Sequence, residues 1–223
     1  MPSLLDFIFP KKCVSCGRFG AYICFECLKK IEPIDQPICS VCQRQAIGGK
    51  THPGCLKKFG LNGLIVGCRY RGVIRRAIFQ VKYRWTFDVA KVLVDLLSEN
   101  IWKFSVPKNY ILVPIPLHRK RENWRGFNQS ERFCRIMAEK FGVSTSSVLV
   151  KVLETRPQVG LTREERRKNI RGAFQISQSE KVKGKSYILV DDVFTTGSTM
   201  NEACRVLKAA GAGEVWAMAI ALG

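Results

Sequence analysis

No apolar run in the 223 residues approaches the ~18 needed for a membrane-spanning helix. The opening, MPSLLDFIFP, has neither a basic leader nor a small-residue cleavage site. Together these absences point to a cytoplasmic protein without membrane insertion. Acidic residues are also scarce: 18 Asp and Glu stand against 37 Lys and Arg, a formal charge of +19. Such an excess raises the local concentration of anions, so the expected partners are nucleic acid or phosphorylated metabolites, unless the charge only solubilises the surface. The length suits one substantial domain plus a small one.

Cysteine is plentiful, and its spacing is informative. Cys13-x2-Cys16, Cys24-x2-Cys27, Cys39-x2-Cys42 and His52-x2-Cys55 are four pairs of metal-binding type within a short span. A two-residue gap lets one tight turn present two ligands to one ion, and two such pairs complete a tetrahedron. Disulfides compete with this reading, but a cytosolic chain keeps its thiols reduced. Iron–sulfur is the residual option, and the histidine weighs against it. Eight ligands make two structural zinc sites, since four protein ligands leave no position for a substrate. Their pairing stays open; sequential pairing costs less loop entropy than crossed pairing. The remaining Cys68, Cys134 and Cys204 sit in apolar contexts and read as small core residues.

The stretch Tyr187–Thr199, YILVDDVFTTGST, organises the rest. Tyr187, Ile188, Leu189 and Val190 form a run typical of a strand buried on both faces. Asp191 and Asp192 follow, then Thr195, Thr196, Gly197, Ser198 and Thr199 ahead of a helical pattern. Such a turn aims backbone N–H groups at one point, and the helix dipole adds positive potential, so it reads as a phosphate cradle. The paired acids supply acceptors for two adjacent hydroxyls and charge for a divalent cation. A ribose 5-phosphate fits both halves.

Residues 1–60 are expected to form the metal-bearing domain, with Leu4, Leu5, Phe7, Ile8 and Phe9 as an apolar lead-in, and residues 61–223 the larger one. Within it the pattern predicts a strand from Leu64 to near Tyr70, helices over Ile74–Val81 and Phe87–Asn100, and a strand at Ile111–Val113. It continues with a helix over Gln129–Phe141, the strand at 187–190, a helix from near Thr199 to Gly211 with Glu202 in a capping box, and a buried parallel strand over Val215–Leu222. The result is an α/β fold: an open, mainly parallel twisted sheet with helices on both faces. The wedge Lys82-Tyr83-Arg84-Trp85 either grips phosphate, through Lys82, or closes a helix. A basic loop spans His118 to Asn128 and carries Arg119, Lys120, Arg121 and Arg125 with Trp124 and Phe127. The polar, arginine-rich segment Thr155–Phe174 is long enough to be a mobile lid, with a short helix at Arg163–Asn169.

The 13-residue stretch resembles the signature of type I phosphoribosyltransferases, which bind phosphoribosyl pyrophosphate (PRPP). With Arg125-Gly-Phe-Asn-Gln129, the paired cysteines, and Gln158, Leu161, Arg166, Asn169 and Phe174, the chain resembles the ComF competence family across essentially its whole length. That family joins a small double zinc ribbon to a phosphoribosyltransferase-like domain; His52 departs from its usual cysteine, though histidine also ligates zinc. The resemblance implies that Asp191 and Asp192 bind the ribose with Mg2+ and that Thr195–Thr199 hold the 5-phosphate. Arg119, Lys120 and Arg125 would face the pyrophosphate, while Arg166 and Asn169 close from the long segment. It also implies a role in natural transformation, with single-stranded DNA and competence-machinery proteins as partners. The alternative is an active phosphoribosyltransferase of nucleotide metabolism. No feature past Leu222 selects a base, so its nitrogen acceptor is open.

Overall fold

Alternation along the apolar runs shows how the sheet is covered. In the computed structural model, which describes residues 10–83, 87–156, 162–177 and 182–223, Tyr187 and Leu189 point into one hydrophobic cluster, and Ile188 and Val190 into another. The lead-in from Leu4 to Phe9, Arg84 and Trp85 of the wedge, and Gln158 and Leu161 lie outside the described residues.

The strands are β1 (Gly63–Arg69), β2 (Tyr110–Pro114), β3 (Leu149–Lys151), β4 (Phe174–Ile176), β5 (Ser186–Phe194) and β6 (Val215–Leu222). The helices are α1 (Phe25–Leu28), α2 (Gly72–Tyr83), α3 (Phe87–Ser98), α4 (Arg119–Arg125), α5 (Gln129–Phe141), α6 (Arg163–Ile170) and α7 (Ser198–Ala209). Four strands form a parallel sheet in the order β1-β6-β5-β2, and β3 and β4 form a separate antiparallel pair. Every residue of β6 is buried, as a strand covered on both faces should be. On one face, Ile74 and Ile78 of α2, Leu93 of α3 and Phe133 of α5 pack with Ile65, Ile188 and Met218. On the other, Ile170 of α6 and Met200 and Leu207 of α7 meet Leu64, Leu189 and Ala217, with Leu149 and Phe174 from the small hairpin.

The free edge of β1 is covered by the N-terminal region. The Ile34 amide donates to the Gly67 carbonyl at 2.9 Å, and the Arg69 amide to Glu32 at 2.9 Å, so segment 32–34 pairs antiparallel beside the strand. Covering an edge in this way removes a template for aggregation. Cys13, Ile23, Cys24 and Cys27 extend the α2–α3 core, and the Tyr22 hydroxyl donates to Asp88 at 2.8 Å. The cysteine-rich module is therefore packed onto the sheet domain by shared core as well as by hydrogen bonds.

Three local expectations change. The basic loop after β2 contains helix α4, because Arg119–Arg125 is rich in good helix formers, His118 caps its start, and Gly126 ends it at φ 78°. Helix α7 begins at Ser198 from Gly197, with no capping box. Glu202 instead accepts from the Gly172 amide at 2.8 Å and from Arg205 Nη2 at 2.7 Å, tying α7 to the end of α6. The aspartate pair also belongs to β5 itself, which continues along β6 to Phe194. No helix among the described residues is long and apolar enough to cross a membrane.

Candidate phosphate crevice and metal centres

The chain leaves β2 outward through α5 to Thr145, which bridges Leu112, and returns on the other side of β2 as β5. Strand order reverses between β2 and β5, and open α/β sheets bind ligands at the carboxyl ends of strands flanking such a reversal. Pairing with β2 stops at Pro114 opposite Val190, so Asp191 and Asp192 lie beyond the end of the shorter strand.

Each carboxylate has its own partner. Asp191 accepts from the Ser130 hydroxyl at 2.9 Å and from the Asp192 amide at 2.9 Å. Asp192, 4 % exposed, is ion-paired to Lys82 at the end of α2. Burial works against the Asp192 charge, but Lys82 outweighs it and holds the pKa below the ordinary carboxylate range. Burial likewise opposes the Lys82 charge, and Asp192 more than compensates, so its pKa lies above the usual lysine value. Asp191 goes the other way: burial, and then the charge of Asp192, push it up to about 7. The two acids and Lys82 thus leave about one negative charge, which Asp191 gains near neutral pH.

The cradle follows at once. Gly197 stands at φ 70°, and a Cβ there would lie 2.5 Å from the Phe194 ring, so the turn demands glycine. Its carbonyl is held by the Asn201 amide at 2.8 Å and the Asn201 side chain at 2.9 Å, while the Thr196 and Ser198 hydroxyls bond each other at 2.8 Å. Among the described residues, the amides of Thr196 and Gly197 donate to no protein acceptor. Turn amides left over at the start of a twelve-residue helix suit an anionic oxygen.

The other candidate residues divide into two groups. Arg166 Nη1 reaches the Thr195 hydroxyl at 3.0 Å, so α6 touches the cradle. Arg125 donates to Gln129 at 2.6 Å and lies 5.2 Å over the Tyr83 ring; its Nε is buried without a hydrogen bond. Asn169 instead clasps the backbone of Arg156, donating to its carbonyl at 3.0 Å and accepting from its amide at 3.1 Å. Lys120 pairs with Glu154 at 2.8 Å on the surface, and Arg119 is exposed; among the described residues, no hydrogen bond or ion pair links either to the aspartates. Thr199 opens α7 beside Ser198.

Two crevice residues carried no sequence signal of their own. Ser130 reaches Asp191 only because α5 starts beside β5, with Asn128 capping it through the Ser130 amide at 3.0 Å. Gln43, at φ 56°, donates its side-chain amide to the Thr195 carbonyl at 3.3 Å from 152 residues away. The second metal knuckle therefore touches the cradle.

The ligand atoms of Cys13, Cys16, Cys24 and Cys27 all lie within 4.8 Å of one another, as do those of Cys39, Cys42, His52 and Cys55. Pairing is sequential. Edges of 3.6 Å between Cys16 and Cys24 and 3.3 Å from Cys42 Sγ to His52 Nδ1 suit tetrahedral zinc with bonds of about 2.0–2.3 Å. The Gln45 carbonyl lies 2.9 Å from His52 Nε2, which assigns the proton there and leaves Nδ1 as the ligand atom. The donor sets therefore fit the metal. The other three cysteines are buried; burial pushes the Cys68 and Cys204 thiols up to about 12 and raises Cys134 as well.

Family models match in the same two places: a double zinc ribbon domain over residues 4–56 and a phosphoribosyl transferase domain over residues 128–222. Competence protein ComFC of Streptococcus pneumoniae is 31% identical over 92% of this chain and 96% of its own. Competence protein F of Haemophilus influenzae is 28% identical over 95% of this chain and 97% of its own. DNA utilization protein YhgH of Escherichia coli K12 is 28% identical over 91% of each chain. With both domains matched and relatives aligned along nearly the whole length, the chain belongs to the ComF family, a double zinc ribbon joined to a phosphoribosyltransferase domain.

Proposed function

We propose that the crevice between β2 and β5 binds the ribose 5-phosphate part of PRPP with Mg2+, and that the protein handles single-stranded DNA during its uptake. The observation that carries the ligand assignment is the pair of unpaired amides at Thr196 and Gly197, in the turn that follows the strand carrying Asp191. The cradle residues from Thr195 to Thr199 hold the phosphate, and Asp191 and Asp192 accept from the ribose hydroxyls. Lys82 keeps Asp192 ionised for that task. Arg125, with its unsatisfied buried Nε, is the cation we assign to the pyrophosphate, with Arg119 and Lys120 of the same helix as further candidates. Asp191 is the carboxylate that would hold Mg2+, and the bound ion would supply positive charge to offset that of the leaving pyrophosphate.

The DNA assignment is supported by the +19 charge and by relatives whose names refer to competence and DNA utilization. Competence-machinery proteins are the corresponding protein partners. Exposed aromatics such as Trp124 and Phe25 add stacking surfaces among the basic residues. Calorimetry with PRPP, with and without Mg2+, tests the first half; Mg2+-dependent binding supports it, and no binding contradicts it. Anisotropy of a labelled oligo-dT across a salt series tests the second, with log affinity expected to fall linearly with log salt.

A transferase is the second reading, favoured by the Arg166 contact, which brings α6 to the cradle. In that reaction a nitrogen lone pair attacks C1, the C1–O bond breaks, pyrophosphate leaves, and the nitrogen then loses its proton. Pyrophosphate release with a panel of bases separates it from a binding module.

A further inference from the structure

A second concavity, of about 830 Å³, lies between the second metal knuckle and the outer face of α6 and α7. Thr196 and Ser198 of the cradle form part of its wall, but the aspartate pair does not. Lys57, Lys58 and Phe59 line one side, Arg167 and Arg171 the other, and Arg205 stands on α7. Glu202 is the one acid among the described lining residues, and it is already held by Arg205 and the Gly172 amide. Five cations against one occupied carboxylate leave a strongly positive surface.

We infer that this groove is the single-strand binding surface, with backbone phosphates running between its lysine and arginine walls and a base stacked on Phe59. The inference rests on the DNA reading above and adds the location. The five cations and Phe59 are exposed, so the groove is open along its rim. A small-molecule site would instead bury most of its ligand. Phe59 is 41% exposed, with the Lys58 ammonium 5.3 Å from its ring, the combination of π-face and cation that suits an unpaired base over a phosphate. A duplex keeps its bases stacked on one another and could not offer one to a ring inside a concavity.

The test uses the full-length, metal-loaded chain. Lys57→Gln with Lys58→Gln removes one wall, Arg167→Gln with Arg171→Gln the other, and Phe59→Ala the platform. Anisotropy of labelled oligo-dT is measured over a salt series, and PRPP binding in parallel. Each wall variant should weaken oligo-dT binding by at least about tenfold at low salt and flatten the log–log salt slope by about 1.4, from two contacts at roughly 0.7 each. Phe59→Ala should lose about tenfold with the slope unchanged. PRPP binding and zinc content should stay at the parental level in all three, which excludes misfolding. Lys91→Gln with Lys108→Gln, away from the groove, controls for net charge. If the parent binds oligo-dT and the wall variants match that control, the groove is overturned while the DNA reading survives. A parent that does not bind oligo-dT overturns both, and a mononucleotide binding as tightly as oligo-dT overturns the strand in favour of a small ligand.

Discussion

The Ser130 hydroxyl donates to Asp191 across 2.9 Å, although 61 residues separate the two in sequence. The bond joins the start of α5 to the end of β5 and fixes the carboxylate at the reversal of strand order. Ser130→Ala should cost about 1 kcal/mol of stability, the usual net value of one such hydrogen bond. It should also weaken PRPP binding several-fold, because Asp191 is then free to turn. Urea unfolding and calorimetry on the same samples check the two effects.

Lys82 is the cation that makes the buried Asp192 tolerable. Removing one partner of a buried pair strands the other charge, so Lys82→Met should destabilise the protein by about 3–5 kcal/mol near neutral pH. In the parent, the depressed Asp192 pKa contributes stability above the unfolded value of ~3.9, and this is lost as pH falls through the folded pKa. Without Lys82 that contribution reverses, so the variant should gain stability relative to the parent as the pH is lowered. Asp192→Asn in the same chain should recover part of the loss. Urea midpoints measured against pH for the parent and the two variants check this.

Asp191 is pushed the other way, to about 7. Its folded pKa exceeds the unfolded ~3.9, so ionising it costs stability as pH rises through that window. Ligand binding should show the opposite trend, since the carboxylate is needed charged. Mg2+-dependent PRPP affinity should rise roughly tenfold from about pH 6 to about pH 8, beyond any change due to the ligand's own phosphate. Asp191→Asn should remove that protein-specific rise, leaving only the ligand's titration.

The two ligand sets imply two zinc ions per chain. Cys42→Ser should leave one and, through the Gln43 contact to the Thr195 carbonyl, weaken phosphate binding as well. Cys16→Ser should also lose one zinc but affect the cradle less, because its set packs against α2 and α3. Metal analysis beside PRPP calorimetry separates the two variants.

Local chemistry made much of this legible in sequence. The run Tyr187–Val190 reads as a two-face strand because burial on both sides requires unbroken apolar residues, and the ligand pairs read as metal sites because two-residue spacing is itself the geometry. Ser130 and Gln43 were not legible, since their partners are supplied by tertiary packing. The charge state of the aspartates was hidden for the same reason: Lys82 stood out as basic, but nothing local says that it pairs with Asp192. Helix α4 is not legible in sequence because its seven residues carry no apolar stripe, and the basic composition reads equally well as a loop.

The most direct measurement is calorimetry of PRPP with Mg2+ on the parent, Asp191→Asn, and the Asp191→Asn/Asp192→Asn pair, with zinc content and far-UV dichroism confirming the fold. Both variants should lose Mg2+-dependent binding, the pair completely. Unchanged affinity in the pair would show that the sugar phosphate does not dock where β5 meets the cradle.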